Sequence, residues 1–92
     1  MKVFKEIFDE LAKQKDLFFR IKSRMVLREW EKIVGKRIAK HTIPQIKEDA
    51  LIVICDDPIW LTEISFFKDE IKRRFNELAG IEVVKKVILK RR

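Results

Sequence analysis

TIPQIKEDALIVICDDPIW, Thr42 to Trp60, carries the transition on which the fold turns. Pro44 ends the helix that precedes it, because the residue before a proline is pushed toward extended geometry. Glu48-Asp49 then offers a tight turn, and Ala50 to Cys55 is a β-branched run that reads as a fully buried strand. The two extended pieces make a hairpin. Asp57-Pro58 starts a helix: Asp57 caps free backbone N–H groups, and Pro58 suits the first helical position because no donor is needed there.

Downstream, Trp60, Ile64, Phe67, Ile71, Phe75 and Leu78 recur at three- and four-residue steps, the pattern of one long amphipathic helix that Gly80 closes. Residues 82–90 then form a last strand, its apolar positions broken by Lys85 and Lys86. Upstream, Val3, Phe4, Ile7, Phe8 and Leu11 give a short first helix over residues 2–14 whose apolar face needs a partner. A second helix spans Leu17 to His41, with Val26, Leu27, Trp30, Ile33, Val34 and Ile38 on one stripe and Gly35 in its interior. The order helix, helix, strand, strand, helix, strand predicts an α+β fold with a small three-stranded sheet, and residues 1–92 read as one domain.

The 22 Lys and Arg against 15 Asp and Glu leave a net charge of +7, which favours polyanionic partners such as nucleic acid or an acidic protein surface. The single cysteine, Cys55, cannot make an internal disulfide and reads as a buried reduced thiol, which points to the cytoplasm. No apolar run approaches the roughly 18 residues of a membrane span, and the N-terminus mixes acids into an amphipathic pattern unlike a signal peptide. No membrane association is expected.

Enzyme signatures are missing. Catalysis needs convergent titratable groups. The chain offers a lone His41, a buried thiol and scattered carboxylates. His41 is expected to complement the negative end of its helix. Gly35-Lys36 suggests a phosphate-binding loop, but that motif needs glycine at position 30 and Ser or Thr at 37, where Trp30 and Arg37 stand. Asp56, Asp57, Glu48 and Asp49 are candidates for a hard cation, yet turn and capping roles account for three of them. Neither a metal site nor a cofactor is expected.

Surface chemistry remains. At four-residue steps, Arg28, Lys32, Lys36 and Lys40 are expected to form a cationic ridge along the second helix, opposite the Trp30 stripe. Gly35 lies beside Arg28 and Lys32 on that wheel. Its missing side chain allows close approach of another backbone, from the first helix or from a ligand phosphate. Phe18-Phe19-Arg20, with Lys22 and Arg24, interleaves aromatics and cations as single-stranded nucleic-acid surfaces do, although at least one of the rings is expected in the core. Phe66 falls off the Trp60–Leu78 stripe, near Ile59, Thr62 and Arg73. It is a second packing face, the simpler reading, or an exposed contact for a partner protein. Lys90, Arg91 and Arg92 add a flexible basic tip able to extend a phosphate-tracking path.

Taken in order, Trp30, Ile33-Val34-Gly35, Ile38-Ala39, His41-Thr42, Pro44, the strand LIVIC, Trp60, Glu63-Ile64, Asn76 and Gly80 resemble the bacterial DciA family of replicative-helicase loaders. The likeness runs from about Leu17 to Leu89. It implies a KH-like α+β domain that interacts with the replicative helicase and binds DNA, assisting the helicase onto single strands, with no enzymatic activity and no nucleotide of its own. Trp30, Val34, Ile38, Pro44 and Trp60 are the mostly apolar motif residues, and physics alone puts them in the core. Nucleic-acid-binding KH domains clamp the backbone with a G-x-x-G loop. With glycine at Gly35 and Gly80 alone, that clamp cannot form. The resemblance also implies a flexible extension in many members, and this chain ends close to its last strand.

Three functions are expected from these features. The first is a DNA-replication adaptor that binds single-stranded DNA nonspecifically through Arg28, Lys32, Lys36, Lys40 and the terminal Lys90, Arg91 and Arg92, and that also binds the replicative helicase. The second is a pure protein-interaction module docking through Phe66, Ile59 and Arg73. The third is an RNA-binding KH-like protein, since basic charge does not distinguish the two backbones.

Overall fold

With no glycine or proline before Gly35, nothing local stops a helix near residue 14, and α1 runs unbroken from Lys2 to Leu27. The computed structural model describes residues 2–92, without the side chains of Lys2, Phe4, Phe8 and Ala12. The expected division into helices 2–14 and 17–41 is therefore corrected. Gln14, Lys15 and Asp16 are exposed residues inside one long helix and not a break between two. Of the expected first-helix stripe, the side chains of Phe4 and Phe8 lie outside those described, while Val3, Ile7 and Leu11 are exposed.

The chain turns at Arg28-Glu29, where the Glu29 N–H bonds back three residues to Val26 O at 2.9 Å. Two short helices follow, α2 (Trp30–Val34) and α3 (Lys36–Ala39). Between them Gly35 adopts φ 88°, ψ 160°, a conformation essentially restricted to glycine. Its N–H donates to Glu31 O at 2.8 Å and its carbonyl accepts from Ala39 N–H at 3.0 Å, so one residue ends α2 and begins α3. Gly35 is thus a pivot and not a helix-interior residue. A Cβ there would meet no atom within 4 Å, which rules out close backbone approach as its reason.

The hairpin forms as expected. Strands β1 (Thr42–Lys47) and β2 (Ala50–Cys55) pair antiparallel, with Glu48 in the left-handed region (φ 56°) at their two-residue turn. Pro44 lies inside β1, which is tolerated because β1 is an edge strand. Asp57 caps α4 (Pro58–Ser65) by accepting from Ile59 N–H at 2.9 Å. The single long helix expected next is instead two. A turn at Phe66-Phe67, closed by three-residue bonds to Glu63 O and Ile64 O, separates α4 from α5 (Lys68–Ala79). That turn resets the helical phase. Ile64, Ile71, Phe75 and Ala79 are buried, whereas Phe67 and Leu78 are exposed. Gly80 closes α5 in the left-handed conformation, φ 78°.

The last strand, β3 (Lys86–Arg91), begins later than expected. Val83 and Val84 are buried, but their N–H groups donate to Asn76 Oδ1 at 3.0 and 2.9 Å, and Asn76 Nδ2 donates to Val84 O at 2.9 Å. A helix side chain occupies the hydrogen bonds that a strand would have used. From Lys86 onward β3 pairs parallel to β2, giving the order β1-β2-β3. The basic end is consequently strand and not a flexible tip, and Arg92 N–H donates to Cys55 O at 2.9 Å.

One face of the sheet, Leu51, Val53, Cys55 and Val87, packs with Val26, Trp30, Ile33, Ile64, Ile71 and Phe75 in a hydrophobic cluster. Ile43, Ile52, Ile54 and Ile88, on the opposite face, take no part in it. The result is an α+β fold with an open, mixed three-stranded sheet covered by helices on one side, consistent with the KH-like class.

Candidate nucleic-acid and partner interface

The break at Arg28-Glu29 and the pivot at Gly35 dismantle the expected single-helix ridge. Arg28 lies in the turn after α1, Lys32 on α2, Lys36 at the start of α3 and Lys40 just beyond it. All four are exposed. Lys32 is held by Glu29 at 2.9 Å, and that hydrogen bond and charge raise its pKa. Arg28, Lys36 and Lys40 form no ion pair with any described carboxylate. These three cations are therefore exposed without a carboxylate partner among the described residues.

Lys90 and Arg91 are fixed on β3, opposite Ile54 and Cys55 of β2. Side chains alternate across a strand. Lys90 therefore shares the open sheet face with Lys86 and, across Ala50, with Lys47, while Arg91 lies on the other side. Sequence reasoning missed Lys47 and Lys86, because only strand register brings residues 39 positions apart to flank one alanine. The open face is thus isoleucine at its centre with lysines around it.

The two tryptophans of the motif separate. Trp30 is buried, and its indole N–H donates to Thr42 Oγ1 at 2.9 Å, which in turn donates to Ile38 O at 2.8 Å. Trp60 is half-buried and forms a surface stack instead. The His41 ring lies parallel to it at 4.6 Å, and the Arg37 guanidinium sits 5.4 Å from its centroid. Arg37 also donates to Glu63, and His41 Nδ1 is 3.0 Å from Asp56 Oδ2. A carboxylate only accepts, so Nδ1 carries the proton. His41 therefore serves this patch rather than the helix end expected for it. Val34 and Ile38 are half-buried against the core, and Pro44 is half-buried on the edge strand.

Phe66 caps α4 with 79% of its surface exposed, and Ile59, seven residues earlier on the same helix, is 69% exposed. The packing reading of Phe66 is overturned: the phase reset at the Phe66-Phe67 turn leaves it outside. Arg73 lies on α5, beyond that turn, bound to Glu77 at 2.7 Å and Glu70 at 3.7 Å. Next to Phe67 a cavity of about 180 Å³ opens among Ile33, Val34, Ile38, Ile64 and Ile71. Of the aromatic pair on α1, Phe19 packs on the core, while Phe18 is exposed beneath Lys22, whose Nζ is 5.5 Å from the ring centre.

Burial pushes the Cys55 thiol up, with Asp56 adding to the shift. The four carboxylates considered for a cation are not brought together. Glu48 and Asp49 precede β2, and Asp56 and Asp57 follow it, roughly 20 Å away along the strand. Among the described residues, no three His, Cys, Asp or Glu side chains converge as a metal site would require, and no helix is long and apolar enough to cross a membrane.

A family model described as Dna[CI] antecedent, DciA, matches residues 4–89. The chain belongs to the DciA family. This DciA-family chain is 30% identical to a UPF0232 protein of Mycobacterium tuberculosis over 77 residues, 83% of its own length and 41% of the relative's. A UPF0232 protein of Streptomyces avermitilis is 34% identical over 58 residues, covering 60% of the chain and 32% of that protein. The corresponding protein of Corynebacterium glutamicum is 32% identical over 56 residues, covering 60% and 32%. The chain thus spans less than half the length of the curated relatives it matches. The motif residues that carry the family likeness form the two tryptophan networks, the Gly35 pivot and the Asn76 clamp.

Proposed function

We propose that this chain is a non-enzymatic DNA-replication adaptor of the cytoplasm, a single KH-like domain that binds single-stranded DNA nonspecifically and docks on the replicative helicase, with no cofactor. One observation carries the DNA side of the reading. Arg37, Arg73, Arg74 and Lys32 are engaged by carboxylates, whereas Arg28, Lys36, Lys40, Lys90, Arg91 and Arg92 are exposed and form no such pair among the described residues. A surface evolved only for solubility gains from interspersed signs. Cations left without partners favour phosphates, whose neutralisation releases counterions. No G-x-x-G clamp exists to grip a backbone, so affinity rests on this distributed charge.

The test is fluorescence anisotropy of a labelled single-stranded oligonucleotide across a salt series, with duplex DNA and RNA as competitors. The expected result is a steep salt dependence, with a log–log slope of about −0.7 per phosphate contacted, and preference for the DNA single strand. Triple charge reversal at Lys32, Lys36 and Lys40 is expected to abolish binding. Binding unchanged by that reversal would overturn the surface assignment, and RNA outcompeting DNA would favour the RNA-binding function.

The exposure of Phe66 and Ile59 supports a second contact, with the helicase, made by α4 together with the cavity beside Phe67. Phe66→Ala is expected to weaken capture of the replicative helicase while leaving DNA binding intact. Loss of both together would indicate one shared surface.

A further inference from the structure

We propose that α1 pairs in parallel with α1 of a second copy of this chain, through the stripe Ile7, Leu11, Gln14, Phe18, Ile21 and Met25. The five apolar members are 48–56% exposed. Their spacing alternates four and three residues over the length of the stripe, the repeat of a coiled-coil seam and not of a helix packed once on a globular core. The core is met by a different flank. Phe19, Ser23, Val26 and Leu27 face the hydrophobic cluster, about 145° around the helix from the stripe at 100° per residue. Pairing therefore requires no rearrangement, and the two cores sit on the outer sides of the pair.

Several features select a second copy in parallel orientation. Gln14 is the one polar member of the seam. In a parallel pair it meets the Gln14 amide of the second copy, and each amide donates to and accepts from the other, whereas antiparallel pairing sets it against an apolar layer. Glu10 and Lys15 flank the seam five residues apart, the separation at which opposite charges cross a parallel pair. Each chain thus offers the acid and the base that the other needs. The helix also extends far beyond its support: 26 residues make about 39 Å, in a molecule 57 Å along its longest axis. Its C-terminal third is already fixed against α5 and β1, which lowers the entropy lost on association.

Sedimentation equilibrium of the 92-residue chain over a concentration series tests this. The mass is expected to rise from 11.1 kDa towards twice that value. Leu11→Lys and Ile21→Lys are each expected to hold it at the monomer without changing the melting temperature of the dilute protein, since both side chains stand off the core. Gln14→Cys is expected to give a disulfide-linked dimer on mild oxidation, with buried Cys55 unable to compete. A monomer at every concentration would overturn the proposal, as would a dimer indifferent to both lysine substitutions. A dimer that does not cross-link at position 14 would overturn the parallel register. Binding of the monomer to anionic lipid vesicles through the same stripe would make α1 a membrane-surface helix instead.

Discussion

The surroundings of Trp30 and Trp60 use the same residue to opposite ends. Around Trp30 every polar atom is consumed internally: indole to Thr42, Thr42 to the Ile38 carbonyl, with aliphatic side chains filling the rest. Around Trp60 the polar atoms belong to charged side chains, Arg37, Glu63, His41 and Asp56, that remain solvent-accessible. A buried aromatic with a satisfied donor holds elements together, here α2 to β1. A half-buried aromatic flanked by ionic groups offers a face and a charge pattern to something outside. Membership in one sequence motif does not make the two equivalent.

The contrast breaks most readily at Trp30. Trp30→Ala is expected to cost about 3–5 kcal/mol in chemical denaturation, through lost burial and a cavity. Trp60→Ala, at a side chain that is only partly buried, is expected to cost no more than about 2 kcal/mol. Equal losses would erase the distinction. Next in size, Thr42→Val strands the Trp30 N–H and is expected to cost about 1–3 kcal/mol, and Gly35→Ala the same amount through backbone strain alone, since space for the methyl is open. A neutral Gly35→Ala would show that α2 and α3 can re-angle.

A smaller effect is titratable. The folded state raises the Cys55 pKa, so it binds a proton that the unfolded thiol releases above about 8.5. Stability is therefore full below that pH and falls as pH rises through the folded-state value, by at most about 1.4 kcal/mol per unit. Denaturation at neutral and alkaline pH is expected to show this loss in the native chain and less of it in Cys55→Val. The smallest expected change is Phe66→Ala, within about 0.5 kcal/mol. A large loss there would return Phe66 to the core and remove the proposed helicase contact.

The elements legible beforehand were those with strong local chemistry: the hairpin, the Asp57-Pro58 start of α4, the Gly80 stop and the buried Cys55 strand. Helix breaks were not. Phe66-Phe67 and Arg28-Glu29 contain no glycine or proline, and apolar spacing alone reads straight through a turn that keeps helical dihedrals at Phe66. The cationic ridge failed for the same reason, since its geometry presumed one helix. Asn76 stood among the motif residues without a role, because its partners, Val83 and Val84, are backbone groups that no side-chain pattern reveals.

By itself, then, the sequence determined the element types, the α+β class, the sign of the surface charge and the family, because these rest on local propensity, periodicity and residue identity. Tertiary structure decided where helices bend, which motif aromatic faces solvent, and which lysines become neighbours. Those outcomes depend on the packing of distant segments: β2 sets where β3 pairs, the Asn76 side chain delays it, and the hydrophobic cluster selects which flank of α1 is covered.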